Sequence, residues 1–288
     1  MQYELNDLVA QIDQLPAPNP VALEVMRLCS EPNISISQLV TLISTDQSLT
    51  SQVLRIANSS YFNFPKTIGT LDRAVVILGL NLLRDVALSI AFHSFYKGFK
   101  NQELFDFDYL WHHSLLTAVV SKALALKYDS DNQHLYYFAG LMHDIGKLVE
   151  SQVIEKDFFF LVDKSLQEKT PLVTLERQFL KFHHGDVGAL LLEKWNLPDY
   201  LISMVKYHHS PEGFIGETDL YRKIRFIYLS NLLVHYLQEE FTGYDHFLEV
   251  NPRFTQYYSF NYEEFETLIG YLQDYVEQQR GLFEIHQA

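Results

Sequence analysis

Apolar side chains recur along this chain at the three-to-four-residue spacing of a buried helix face, and little interrupts them. Val21, Leu23, Val25, Met26 and Leu28 fall close to one helical stripe, and Leu49, Val53, Leu54, Ile56 and Ala57 form another. A longer pattern runs from Leu71 to Phe95, nicked at Gly79. A strand needs an apolar period of two, which these segments lack. The 288 residues include only 9 Pro and 12 Gly, so the frequent turns of a β-sandwich or barrel have no raw material. The expected fold class is all-α.

Punctuation divides the chain. Leu15-Pro16-Ala17-Pro18-Asn19 ends any helix begun at Glu4. Ser35 or Ser37 can cap a helix over Gln38 to Ser44, and Asp46 opens the next. A polar patch from Lys97 to Glu103 predicts a boundary between a small helical part, 1–100, and a larger helical bundle, 101–288. Helical patterns in the second part run over Leu104–Tyr128, Gln133–Ser151, Leu172–Trp195, Tyr200–Tyr207, Tyr221–Glu239 and Tyr262–Arg280. Most of the 12 histidines lie there.

Composition narrows the functional classes. Hydrophobic residues at 48% and charged residues at 20% describe a globular chain, and 21 Phe with 18 Tyr supply bulky core side chains. A formal net charge of −14 repels phosphate backbones and anionic lipid, so neither a nucleic acid nor a membrane surface is an expected partner. A small phosphate-containing ligand stays compatible, because a metal ion inverts the local field. Cys29 is the single cysteine, the N-terminal residues carry no leading basic run, and the apolar run Val86–Phe92 is too short to span a bilayer. The expected location is the cytoplasm.

Four places carry chemistry: Trp111-His112-His113-Ser114, His143-Asp144-Ile145-Gly146-Lys147, His183-His184-Gly185-Asp186 and Tyr207-His208-His209. One histidine on a helix is usually packing. Four such places within about one hundred residues, each near a helix end, are harder to assign to packing alone. Divalent first-row metals favour neutral imidazole supplemented by carboxylate, and helical metal sites collect ligands from several helices. Neighbouring helical residues point about 100° apart. His143 and Asp144 can therefore serve one metal with the carboxylate bridging, or two metals. Gly146 permits close backbone approach, and Lys147 is a cation suited to a phosphate oxygen.

His143-Asp144-Ile145-Gly146-Lys147 resembles the signature of the HD metal-dependent phosphohydrolase superfamily. Trp111-His112-His113-Ser114 resembles the preceding family helix, which implies His113 rather than His112 as a ligand. Phe182 to Trp195 is similar to the segment in which one histidine precedes a Val-Gly pair, which implies His184. Tyr207-His208-His209 resembles the double histidine of the HD-GYP branch. The N-terminal third adds Leu15-Pro16 with Pro20, Asp46 to Leu49, Leu54 to Ser59 and Ala74 to Leu80, and these together resemble the HDOD domain. The resemblance covers Leu15 to His235. It implies an HD-like helical bundle with a smaller N-terminal helical subdomain, a role in bacterial signalling with a protein partner, and one or two divalent ions (Fe, Mn, Zn, Ni or Mg) per chain. The implied ligands are His113, His143, Asp144, His184, His208 and His209. Asp144 and Lys147 would be the catalytic groups if the site turns over.

Two departures weigh on activity. Where the family closes its site with a late aspartate, the stretch Ile227 to Leu232 offers Asn231, a neutral and weaker ligand. Asp186 or Glu176 could supply the missing charge, although no motif assigns them. After His209 the chain reads Ser-Pro-Glu-Gly-Phe-Ile-Gly, without the Gly-Tyr-Pro signature. Three readings follow: a regulatory signalling protein with a structural or sensing metal site, a working phosphohydrolase, and a metal-free helical scaffold. The first is preferred. His93, His134, His235, His246 and His286 are expected to be surface or packing residues, and His112 and His183, each beside an implied ligand, either to support that ligand or to be simply solvated.

Overall fold

The computed structural model describes residues 18–31, 34–59, 67–99, 105–237 and 262–287, with isolated positions 3, 5, 8 and 11. The helix breaker at 15–17, the loop 60–66, part of the polar patch near 100 and His246 lie outside the described residues, as does the side chain of His286.

Local chemistry sets the helix starts in the N-terminal part. Helix α1 (Pro20–Ser30) begins with proline at its first position, and the Asn19 side chain accepts from the Val21 amide. Helix α2 (Ile36–Ser44) opens on a capping box in which Ser35 and Gln38 satisfy each other's backbone amides. Asp46 caps α3 (Gln47–Ala57) by accepting from the Leu49 amide. Helix α4 (Leu71–Tyr96) contains Gly79 at φ 74°, a left-handed geometry that breaks it one-third of the way along.

The larger part follows as α5 (Phe107–Tyr128), α6 (Gln133–Met142), α7 (Ile145–Val153), α8 (Glu155–Glu168), α9 (Leu172–Phe179), α10 (His184–Lys194), α11 (Asp199–Lys206), α12 (Thr218–Leu237) and α13 (Tyr262–Gln278). The expected all-α class holds, and no strand occurs among the described residues. Two expected helices are each two: 133–151 divides at His143-Asp144, and 172–195 divides before His184. Helix α8 carried no expectation, because its Phe158-Phe159-Phe160 run and flanking charges blur the apolar stripe.

Both parts share one continuous apolar core that includes Leu8, Val25, Phe92, Trp111, Phe138, Val205 and Ile285. The second half of α4 runs through it, with Leu83, Val86, Ala87 and Phe92 buried. Taken whole, α4 is long and apolar enough to cross a membrane, with a mean hydropathy of 1.9 in its most apolar window. The seven-residue run seen in the sequence understates it. That window is 61% buried inside the protein.

Polar links tie the parts together. The Arg27 guanidinium donates twice to the Trp195 carbonyl, at 3.0 and 2.9 Å, and the Tyr200 hydroxyl donates to the Ser30 carbonyl at 2.6 Å. Deeper in, Asp85 of α4 and Lys122 of α5 form a buried ion pair, and the Lys122 ammonium lies 5.8 Å from the Tyr137 ring centre.

Candidate metal centre

The break between α6 and α7 places the His-Asp pair. His143 keeps helical angles, whereas Asp144 shifts to φ −100°, ψ 9°, so the two adjacent side chains converge instead of diverging around a helix. Gly146 follows because nothing larger fits: a Cβ there would stand 1.8 Å from the His184 carbonyl oxygen. Helix α7 and the first turn of α10 therefore meet backbone to backbone, which brings His184 to Asp144. His184 is the first residue of α10, and His183 caps that helix by accepting from the Gly185 amide. Asp186 accepts from the His183 amide at 3.1 Å, so the doubtful candidate Asp186 completes a cap. His208 and His209 occupy the turn after α11. His113 reaches in from the buried face of α5, while the His112 ring stacks on Phe283 with centres 6.4 Å apart.

The Asp144 carboxylate lies between two groups of imidazoles. Its Oδ2 is 3.2 Å from His143 Nε2, 3.6 Å from His113 Nε2 and 2.8 Å from Lys147 Nζ. Its Oδ1 is 3.2 Å from His184 Nε2 and 3.6 Å from His208 Nε2. His184 Nε2 in turn lies 2.9 Å from His209 Nε2. Two sets result, Asp144-His184-His208-His209 and His113-His143-Asp144, and the ligand-type atoms within each lie within 4.8 Å of one another. Ligands about 2 Å from a common ion would be separated by distances of this order.

Tautomers are preset for coordination. A carbonyl only accepts, so the contacts of His143 Nδ1 with the Gly140 oxygen at 2.7 Å and of His208 Nδ1 with the Val205 oxygen at 2.6 Å put the proton on Nδ1. Nε2 is then the nitrogen of both rings that faces the Asp144 carboxylate. His184 Nδ1 lies 2.7 Å from Glu176 Oε2, the carboxylate–histidine arrangement that orients metal ligands. Asp144 Oδ1 and His208 Nε2 are buried without a hydrogen-bond partner. Such orphaned atoms are costly unless something else satisfies them, and a cation does so. The residues present fit a divalent metal.

Burial alone would raise the Asp144 carboxyl, but His143 and Lys147 beside it hold it well below the usual range. Burial, with His235 and His143 nearby, lowers His113 to about 3, and burial lowers His208 to about 4. These rings are neutral at pH 7, as ligands must be. His184 moves the other way: burial would lower it, but the Glu176 carboxylate and Asp144 lift it to about 9. Loading a metal there would release a proton.

The structure thus brings together His113, His143, Asp144, Lys147, His184, His208 and His209. Asn231 is buried on α12 with its Oδ1 unpartnered. Sequence reasoning gave Glu176 only as a spare acid. Its role against His184 depends on a contact between residues eight apart on different helices. His235, expected to be packing, has its ring 4.9 Å from that of His113.

An all-helical core that gathers histidines from several helices around one aspartate defines a class. The HDOD domain family model matches residues 15–211, and the chain belongs to that family. An uncharacterised Treponema pallidum (strain Nichols) protein is 26% identical over 203 residues, covering 69% of this chain and 38% of the relative. The chain therefore spans less than half of that relative's length. Among solved structures, an HDOD domain protein of unknown function from Geobacter sulfurreducens superposes with a TM-score of 0.77 at 23% identity, covering 98% of this chain and 96% of that one. A Shewanella amazonensis protein, named only provisionally as a phosphohydrolase, gives a TM-score of 0.71 at 18% identity, with 97% of each chain covered. A Marinobacter aquaeolei VT8 protein, provisionally named for signal transduction, gives 0.73 at 22% identity and covers 100% of this chain and 62% of that one.

Proposed function

We propose that this chain is a signal-transduction component whose buried metal centre organises or reports its conformation, and that it is not an efficient hydrolase. The observation that carries this reading is enclosure. His113, His143, Asp144, Lys147, His184 and His208 are each at most 1% exposed and only His209 of the proposed ligands is part-exposed, which leaves a phosphate ester little direct access to the groups that would act on it. Lys147, the cation that would meet a phosphoryl oxygen, is held against Asp144. By the family resemblance, Asn231 takes the place of the late aspartate, which would leave a two-metal site short of one negative charge.

In this reading His113, His143, Asp144, His184, His208 and His209 hold one or two divalent cations of the Fe, Mn, Zn, Ni or Mg group. Glu176 fixes the His184 ring. A protein partner would read the state of the fold, and no nucleic acid or membrane is needed. Metal analysis and a screen of nucleotides, cyclic dinucleotides and simple phosphate esters test it. The expected result is stoichiometric metal without turnover. Turnover that disappears in His143→Ala and Asp144→Ala would overturn it.

A phosphohydrolase is the second reading, favoured by the convergence of every motif-derived ligand. A bound divalent cation would then supply Lewis acidity and an activated water. Asp144 would anchor the centre, and Lys147 would have to leave Asp144 to neutralise charge on the phosphoryl group.

A further inference from the structure

We infer that His235 belongs to the metal centre, as the imidazole that completes the His113 side. The inference rests on the metal-binding reading above and adds a residue that no motif supplies.

The two sides of Asp144 are unequally furnished. The His184 side offers four ligand-type atoms: three imidazole nitrogens and Oδ1. The His113 side offers three, and its carboxylate oxygen is shared with the Lys147 ammonium at 2.8 Å. Divalent metals in such sites take about four ligands or more, so this side is short. Asn231 contributes at best a neutral amide oxygen. One turn further along α12 comes His235, and residues four apart lie on the same helix face. Its ring lies 4.9 Å from the His113 ring, tilted by 44°.

That spacing matches the rest of the cluster. His113 to His143 is 5.2 Å, His143 to His208 is 5.1 Å and His208 to His184 is 5.3 Å between ring centres. His235 therefore extends an unbroken row of imidazoles that crosses the interior from α12 to α10. It is part-buried and stands outside the set of atoms that lie within 4.8 Å of one another, so its recruitment requires its side chain to turn toward the His113 side when a metal binds. An imidazole from α12 would replace the family's carboxylate with a neutral ligand.

The test uses the full chain, stripped with chelator and reloaded with cobalt(II). Wild type, His235→Ala and His235→Gln are titrated against a competing chelator, with the visible cobalt spectrum recorded. Both variants should bind one equivalent about tenfold to a hundredfold more weakly, with an altered cobalt spectrum, while the stripped proteins melt alike. Unchanged affinity and spectrum in both variants would overturn the assignment of His235 while leaving the metal site standing. A wild type that takes up no cobalt would remove the metal reading and this inference with it. Should both variants fail to fold, histidine-directed acylation mapped by mass spectrometry on wild type decides. Cobalt should protect His235, and equal labelling with and without cobalt would refute its recruitment.

Discussion

Gly146 shows how one position can govern the centre. A methyl group there would meet the His184 carbonyl carbon at 2.6 Å and its oxygen at 1.8 Å, and backbone cannot rotate out of the way. Gly146→Ala should cost about 3 kcal/mol or more and push α10 away from α7. Gly188→Ala, which meets mainly the Val205 and Ile145 side chains at 3.1 and 3.2 Å, should cost about 1 kcal/mol by the same overpacking logic. Urea unfolding of both variants checks the contrast; equal losses would show that the backbone contact is not limiting. At this scale the sequence was informative wherever a motif fixed a choice. The residues chosen as His113 over His112 and His184 over His183 are the ones the fold turns toward Asp144. It was silent on Glu176 and His235, whose positions depend on how α9 and α12 pack rather than on neighbours in the chain.

Between elements, the buried polar pairs are the sensitive points. Lys122→Met would strand Asp85 without its cation and should destabilise by about 3–5 kcal/mol; adding Asp85→Leu should recover most of the loss. Thermal melts of the single and double variants test this, and additive losses would refute coupling. His134 lies in the first turn of α6 and is lowered to about 4, first by burial and then by Arg84 and Lys122. The unfolded chain takes up that proton near pH 6.5 while the native chain does not, so stability is full above pH 6.5 and declines as pH falls toward 4. His134→Gln should flatten the stability profile in that window by up to about 3 kcal/mol. An unchanged slope between pH 6.5 and 4 would exclude His134 as a source. Most helices were legible from their apolar stripe and their caps at Ser35 and Asp46. The breaks at His143-Asp144 and before His184 were not, because helix-compatible residues continue across both and tertiary contact decides where the helix ends.

For the molecule as a whole, the metal and the fold should be linked. A ligand that binds only the native state stabilises it, so stripping with a strong chelator should lower the melting temperature by several degrees, and readdition of zinc or manganese should restore it. A melting temperature insensitive to both treatments would favour the metal-free scaffold. The all-helical class was readable at this scale from the period of the apolar residues. The extent of the shared core was not: α4, which precedes the polar patch near residue 100, packs among residues that follow it, and no local pattern announces that contact.

The placement of Asp144 has one more consequence. Because one carboxylate turns Oδ2 toward His113 and His143 and Oδ1 toward His184 and His208, its two oxygens draw on one negative charge. The first cation to arrive would polarise that charge toward itself and leave the opposite oxygen a poorer donor. Occupancy would then build in steps of falling affinity, with the second step set by how tightly the Lys147 ammonium holds its place.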